Sequence, residues 1–120
     1  MNTAEQFVSL VLLARDSAHL AHWKTKSYAE HKALNEFYDS ALELIDGFVE
    51  QYQGYYGGRM NIERNGDKGT DSIRKLLEYQ CEWIEMKRYS ICAKEETPLQ
   101  NTIDEILRQY QSTLYMLTLE

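Results

Sequence analysis

Apolar residues recur along most of this chain at intervals of three and four, the period of a helix that buries one face. Phe7, Val11, Ala14, Ala18 and Ala21 form the first such stripe and predict a helix from about Ala4 to Lys24. Thr3 followed by Gln6 fits a capping box at its start, in which two side chains satisfy orphan backbone amides. Leu34, Phe37/Tyr38, Ala41, Ile45, Phe48/Val49 and Tyr52 form the second stripe and predict a helix from about Tyr28 to Gln53. Ser27 with Glu30 is its box, and Gly54 is a stop signal. The period then vanishes through GYYGGRMNIERNGDKGT, a stretch rich in turn residues. It returns near Asp71 with Ile73, Leu76, Leu77, Cys81 and Ile84, and Lys87 and Arg88 suit the negative end of that third helix. The fourth helix has the clearest start: Thr97 as cap, Pro98 at the first helical position and Gln100 completing a box. Leu99, Ile103, Ile106, Tyr110, Leu114 and Leu117 follow in period.

Four such stripes are buried most simply in an all-α four-helix bundle forming one domain over residues 1–120. The first and third connections are short, so each joins an antiparallel pair. The middle connection has about 16 residues and reaches roughly 50 Å when extended, whereas the second helix spans about 39 Å at 1.5 Å per residue. The connection is therefore long enough to cross the whole bundle, giving two antiparallel hairpins joined by one long crossover. The alternative is a simple up-and-down bundle with a loose middle loop.

Composition narrows the function. The net charge is −6 and neither end carries a basic tail, which disfavours nucleic acid as a partner. No apolar run is long enough to span a membrane, and MNTAEQF does not read as a signal segment, so the cytoplasm is the expected compartment. Two cysteines do not make a disulfide framework: Cys81 lies on the apolar stripe, and Cys92, near a helix end, is expected to be exposed. Nine tyrosines are many for this length, and Tyr52, Tyr55 and Tyr56 cluster where the long connection begins, a pattern that suits subunit packing better than a nucleotide pocket.

All three histidines, His19, His22 and His31, fall within thirteen positions around the first helix junction. On the second helix His31 and Asn35 are four apart, as are Asp46 and Glu50, and both pairs lie along one side. The pairs are about 16 Å apart along the axis, too far to bind one ion. An antiparallel copy of the helix from a second chain would bring each His31/Asn35 end against the other copy's Asp46/Glu50 end, forming two equivalent sites. His22 could join them. Imidazole and carboxylate together suit iron, manganese or zinc. No Glu-x-x-His occurs, so a di-iron site within one subunit is not expected.

His22–Trp23, then His31, Asn35, Asp46 and Glu50 in DGFVEQYQG, resemble the pattern of the Dps, or mini-ferritin, family, and STLYMLTLE resembles that family's ending. The likeness covers about Leu13 to Gly54 and, more weakly, the last turn. It implies a ferritin-like subunit that forms a homodimer through its second helix, with higher homo-oligomers beyond it. It also implies ferroxidase centres shared across that interface, with ferrous iron oxidised by peroxide or dioxygen. By position it nominates His22, His31, Asn35, Asp46 and Glu50 as iron ligands, with Trp23 beside them. Two departures stand out: Asn35 replaces the family's first aspartate of the second helix, and His22 to His31 is nine residues rather than twelve. A neutral amide is a weaker ligand for a hard cation. These departures favour the other reading, a non-catalytic oligomeric binding or scaffold protein. Compact acidic helical proteins of this kind also resemble small proteins encoded by viruses of bacteria, which could sequester a small molecule or a host protein.

Overall fold

The computed structural model describes residues 1–66 and 72–119. Four helices account for most of them: α1 (Thr3–Lys24), α2 (Tyr28–Tyr56), α3 (Ile73–Ile91) and α4 (Thr97–Met116), with no strand among the described residues.

The helix starts are governed by side chains that take up orphan amides. For α1 the cap is Asn2, one residue before the expected Thr3. Its Oδ1 accepts from the Glu5 N–H, and the Glu5 carboxylate accepts from the Asn2 N–H, both at 2.8 Å. Glu5 also accepts from the Asn61 N–H at 2.6 Å, a third bond that a Thr3/Gln6 box would forgo. Ser27 caps α2 by accepting from the Glu30 N–H. Gly54 does not stop that helix, which continues to Tyr56 and ends at Gly57. Gly57 and Gly58 have φ of 77° and 74°, the left-handed region where only glycine sits without strain. Ser72 caps α3; the expected start near Asp71 lies outside the described residues. In α4 the cap position is Glu96, with no side-chain cap bond, and Thr97 is already helical. Gln100 turns away from the expected box to donate to the carbonyls of Arg88 at 3.0 Å and Cys92 at 2.9 Å, tying α4 to the end of α3.

Helix α1 packs on α2 and α3, and α4 packs on the same two, so α1 faces α4 across one diagonal and α2 faces α3 across the other. An up-and-down bundle would place α2 beside α3. Side-chain bonds give the directions. Thr102 reaches Gln51, and Tyr110 lies edge-on to Phe37, so α4 runs antiparallel to α2. Arg88 meets Gln100 and Asp104 while Gln80 meets Tyr110, so α3 and α4 are antiparallel too. The chain leaving Gly58 runs along α1: Asn61 is held by Glu5, and the Glu63 carbonyl accepts from Ser9. The expected connection over 54–70 is thus helix to Tyr56 and strap to Gly66, and its remainder lies outside the described residues.

The core contains the predicted stripes, with Phe7 edge-on to Phe48 at 5.0 Å and Phe37 to Tyr110 at 5.1 Å. At its centre is a polar chain that periodicity does not reveal. The Tyr110 hydroxyl donates to Gln80 at 2.7 Å, and the Gln80 amide donates to the Leu10 carbonyl at 3.0 Å, joining α4, α3 and α1. Gln80 is 1% exposed and Tyr110 0%, so the Gln80 amide oxygen and the Tyr110 hydroxyl depend on each other for a partner.

Candidate functional site at the first helix junction

Thr25, Lys26 and Ser27 alone separate α1 from α2. The Thr25 N–H closes the last turn of α1 on Ala21 O, the Ser27 N–H bonds the Thr25 hydroxyl, and the Ser27 hydroxyl opens α2. This tight reversal folds the first turn of α2 back onto the last turns of α1, and the three histidines meet. His22 and His31 stack face to face, with centroids 3.7 Å apart and planes 22° apart. His19 lies 6.0 Å from His22 and stacks on Tyr38 at 4.1 Å, with the Trp23 ring tilted beside it at 4.4 Å.

Each ring has a distinct environment. The His31 Nδ1 is 2.9 Å from the His22 carbonyl. A carbonyl only accepts, so that nitrogen carries the proton and Nε2 is left for other partners. His22 is buried, and its Nδ1 has no hydrogen-bond partner among the described residues. Burial chiefly, and then the neighbouring His31 and His19, push the His22 pKa below the usual imidazole value, against a smaller opposing effect of Asp39. Asn35 accepts from the Tyr38 hydroxyl at 2.7 Å, and its amide points to Asp39 at 3.4 Å. Arg15 lies over the Tyr38 ring and pairs with Asp16.

Of the five nominated ligands, the structure brings His22, His31 and Asn35 to one end of the bundle. Asp46 and Glu50 are exposed further along α2 and form no ion pair with a described residue. From His31 to Asp46 is about 22 Å along the helix axis. No group of three or more His, Cys, Asp or Glu side chains among the described residues is placed to hold a metal ion. Within one chain the donors therefore do not assemble.

Two expectations are corrected or refined elsewhere. Cys92 is buried rather than exposed, at 4% exposure, and burial first, then Glu96, raises its thiol pKa to about 11. Burial first, then Glu85, raises that of Cys81 to about 11 as well, so neither is a ready nucleophile. The tyrosine cluster closes the opposite end of the bundle: Tyr52 packs on Tyr56 at 4.5 Å, and the Tyr56 hydroxyl donates to Glu96. No described helix is long and apolar enough to cross a membrane.

An uncharacterized 14.6 kDa protein in the mobD-ri intergenic region of Enterobacteria phage T4 is 34% identical over 119 residues, 98% of this chain and 89% of the phage protein. No solved structure matches. A relative in a virus of bacteria accords with the likeness to small phage-encoded helical proteins. A family model described as a family of unknown function, DUF5856, matches residues 22–117, a span that opens at His22 and contains the junction, the acidic end of α2 and both later helices. The chain belongs to that family, DUF5856.

Proposed function

We propose that the protein is a ferritin-like bundle that takes up ferrous iron between two copies of α2. The observation carrying this reading is the division of the donor set. The His31 imidazole, with His22 of α1 stacked on it, occupies one end of α2, the carboxylates of Asp46 and Glu50, with no ion-pair partner among the described residues, lie toward the other, and an antiparallel second copy would unite them. A register that sets Glu50 opposite His31 also sets Asp46 opposite Asn35 and Asp39 opposite Leu42, so no two carboxylates meet head-on. The diagonal placement of α2 and α3, with the strap running along α1, is what a ferritin-like connection requires. Iron here is the substrate. One peroxide oxidises two ferrous ions, takes up two protons and leaves as two waters.

The second reading, a non-catalytic oligomeric binding or scaffold protein, is favoured by a separate observation. His31 Nδ1 and Asn35 already have internal hydrogen bonds, and the His22 and His31 faces are closed on each other. Such a protein in a phage-infected cell would sequester a small molecule or a host protein.

Anaerobic titration of ferrous iron into chelator-stripped protein, with the mass in solution followed throughout and peroxide added last, separates the two. The iron reading expects saturation at about one or two ions per subunit, rapid oxidation, and loss of both in Asp46→Ala. Metal content unchanged by Asp46→Ala overturns the ligand assignment. A stable oligomer that binds no iron establishes the scaffold reading.

A further inference from the structure

A peroxide that oxidises two ferrous ions needs both held together. Their four positive charges would face only two carboxylates, Asp46 and Glu50, at each imidazole end that a second copy completes. Asn35 does not supply a third. Its amide is neutral, and the one atom of it that could bind a metal, Oδ1, already accepts from the Tyr38 hydroxyl at 2.7 Å. The other side of the same amide donates to the Asp39 carboxylate at 3.4 Å. Tyr38 is itself fixed: it is buried, with His19 stacked on its ring and Arg15 over it. The line from Tyr38 through Asn35 thus ends in an exposed carboxylate that forms no ion pair with a described residue. That carboxylate is near enough to His22 for its charge to oppose the effect of burial on the ring.

Helix geometry turns Asp39 to the same side as the partner-facing carboxylates. Asp46 lies seven residues on and Glu50 eleven, each within about 20° of whole turns. Glu36 and Glu43, its neighbours on the acidic stripe, instead line a groove against α4 with Glu105 and Arg108. On the reading that iron is taken up between two copies of α2, we infer that Asp39 is the carboxylate that holds the second ferrous ion of each site. Asn35 and Tyr38 are the positioning residues that aim it. With Glu50 of the copy opposite His31, Asp46 of the copy is opposite Asn35, and Asp39 stands one turn, about 6 Å, further along. The first ion then lies by His31 and Glu50 of the copy, the second by Asp39, and Asp46 of the copy stands between them. Asn35 acts by donating to a ligand and is not one itself. The third donor comes from the copy, in keeping with the lack of a metal-holding group of three within one chain among the described residues.

Ferrous iron titrated anaerobically into chelator-stripped wild type, Asp39→Asn and Tyr38→Phe, with iron counted at saturation and the mass in solution followed, tests the assignment. The wild type should take about two ions per subunit and Asp39→Asn about one, with the dimer retained in both. Tyr38→Phe, which releases Asn35, should still reach the wild-type count but bind the second ion roughly tenfold or more weakly, as loss of a group that orients a ligand does. Asp39 is exposed, and circular dichroism should show its variant folded as the wild type. A full count at unchanged affinity in Asp39→Asn overturns the proposal and leaves iron uptake standing, as does a wild type that saturates at one ion. A second ion held as tightly in Tyr38→Phe as in the wild type overturns the positioning roles. A wild type that binds no iron overturns both the assignment and the reading it rests on.

Discussion

Helices α2 and α3 occupy opposite corners of the bundle and divide their polar and apolar residues in opposite ways. The inner face of α2 is wholly apolar, with Leu34, Phe37, Ala41, Ile45 and Phe48 all buried. Its outer stripe after Lys32 is wholly acidic: Glu36, Asp39, Glu43, Asp46 and Glu50, again at steps of three and four and all exposed. Helix α3 buries a glutamine at its centre and exposes two tyrosines and a methionine. The contrast holds for the middle of each helix: between Lys32 and Glu50 only Leu42 of the large apolar residues of α2 is exposed and the outer stripe is charged, with Tyr28, Tyr55 and Tyr56 exposed only at the two ends, whereas α3 exposes Tyr79, Met86 and Tyr89 along its length.

The sharpest way to break the comparison is to remove packing from the inner face of α2. Phe48→Ala, which empties the space against Phe7, should cost about 3–5 kcal/mol in denaturant unfolding. On the α3 side, Tyr110→Phe strips Gln80 of its donor and should cost about 1–3 kcal/mol, mostly for the stranded amide oxygen. Adding Gln80→Leu to Tyr110→Phe should cost less than the sum of the two single changes, because neither partner is then left alone. An additive result would show that the polar chain at the core does not act as a unit.

A pH scan at fixed protein concentration, with metal chelated, probes the junction that α2 shares with α1. The unfolded chain protonates His22 near 6.5, whereas burial, with His31 and His19, keeps the folded ring neutral to lower pH. The stability contributed by the neutral ring is therefore fully present above 6.5 and declines as pH falls from there toward the lowered folded value. The melting temperature should drop across that window, and His22→Gln should flatten the drop. The smallest effect is expected on the outer stripe of α2, where Glu43→Gln should change unfolding stability by no more than about 0.5 kcal/mol. A larger loss would mean that the stripe already has a structural partner.

The sequence made the helices legible because burial stripes at helical spacing are long and strongly periodic, from Phe7 through Ala18 and from Leu99 through Tyr110. Their ends were less legible, for tertiary reasons. Asn2 and Thr3 are both good caps, and the choice is tipped by Asn61, a residue 56 positions beyond Glu5. Gly54 reads as a stop, yet the helix continues because Tyr56 is held by Tyr52 and Glu96. Gln80 was invisible because a buried amide is acceptable only when Leu10 and Tyr110, on two other helices, supply its partners. At the candidate site the clustering of the histidines was legible from the short turn. That two of them stack on each other rather than converge was not, because ring orientation depends on Tyr38, Trp23 and the His22 carbonyl together.

One carboxylate has a practical consequence. Glu5 closes the first turn of α1 with one oxygen and holds the strap at Asn61 with the other, while the Glu63 N–H rests on the Met1 sulfur. The first five residues are thus the clasp of a segment half the chain away. A purification tag fused ahead of Met1 would press on that clasp, and a protease that trims the start of the chain would expose the strap to a second cut. Carried at the other end, the same tag would leave the clasp shut.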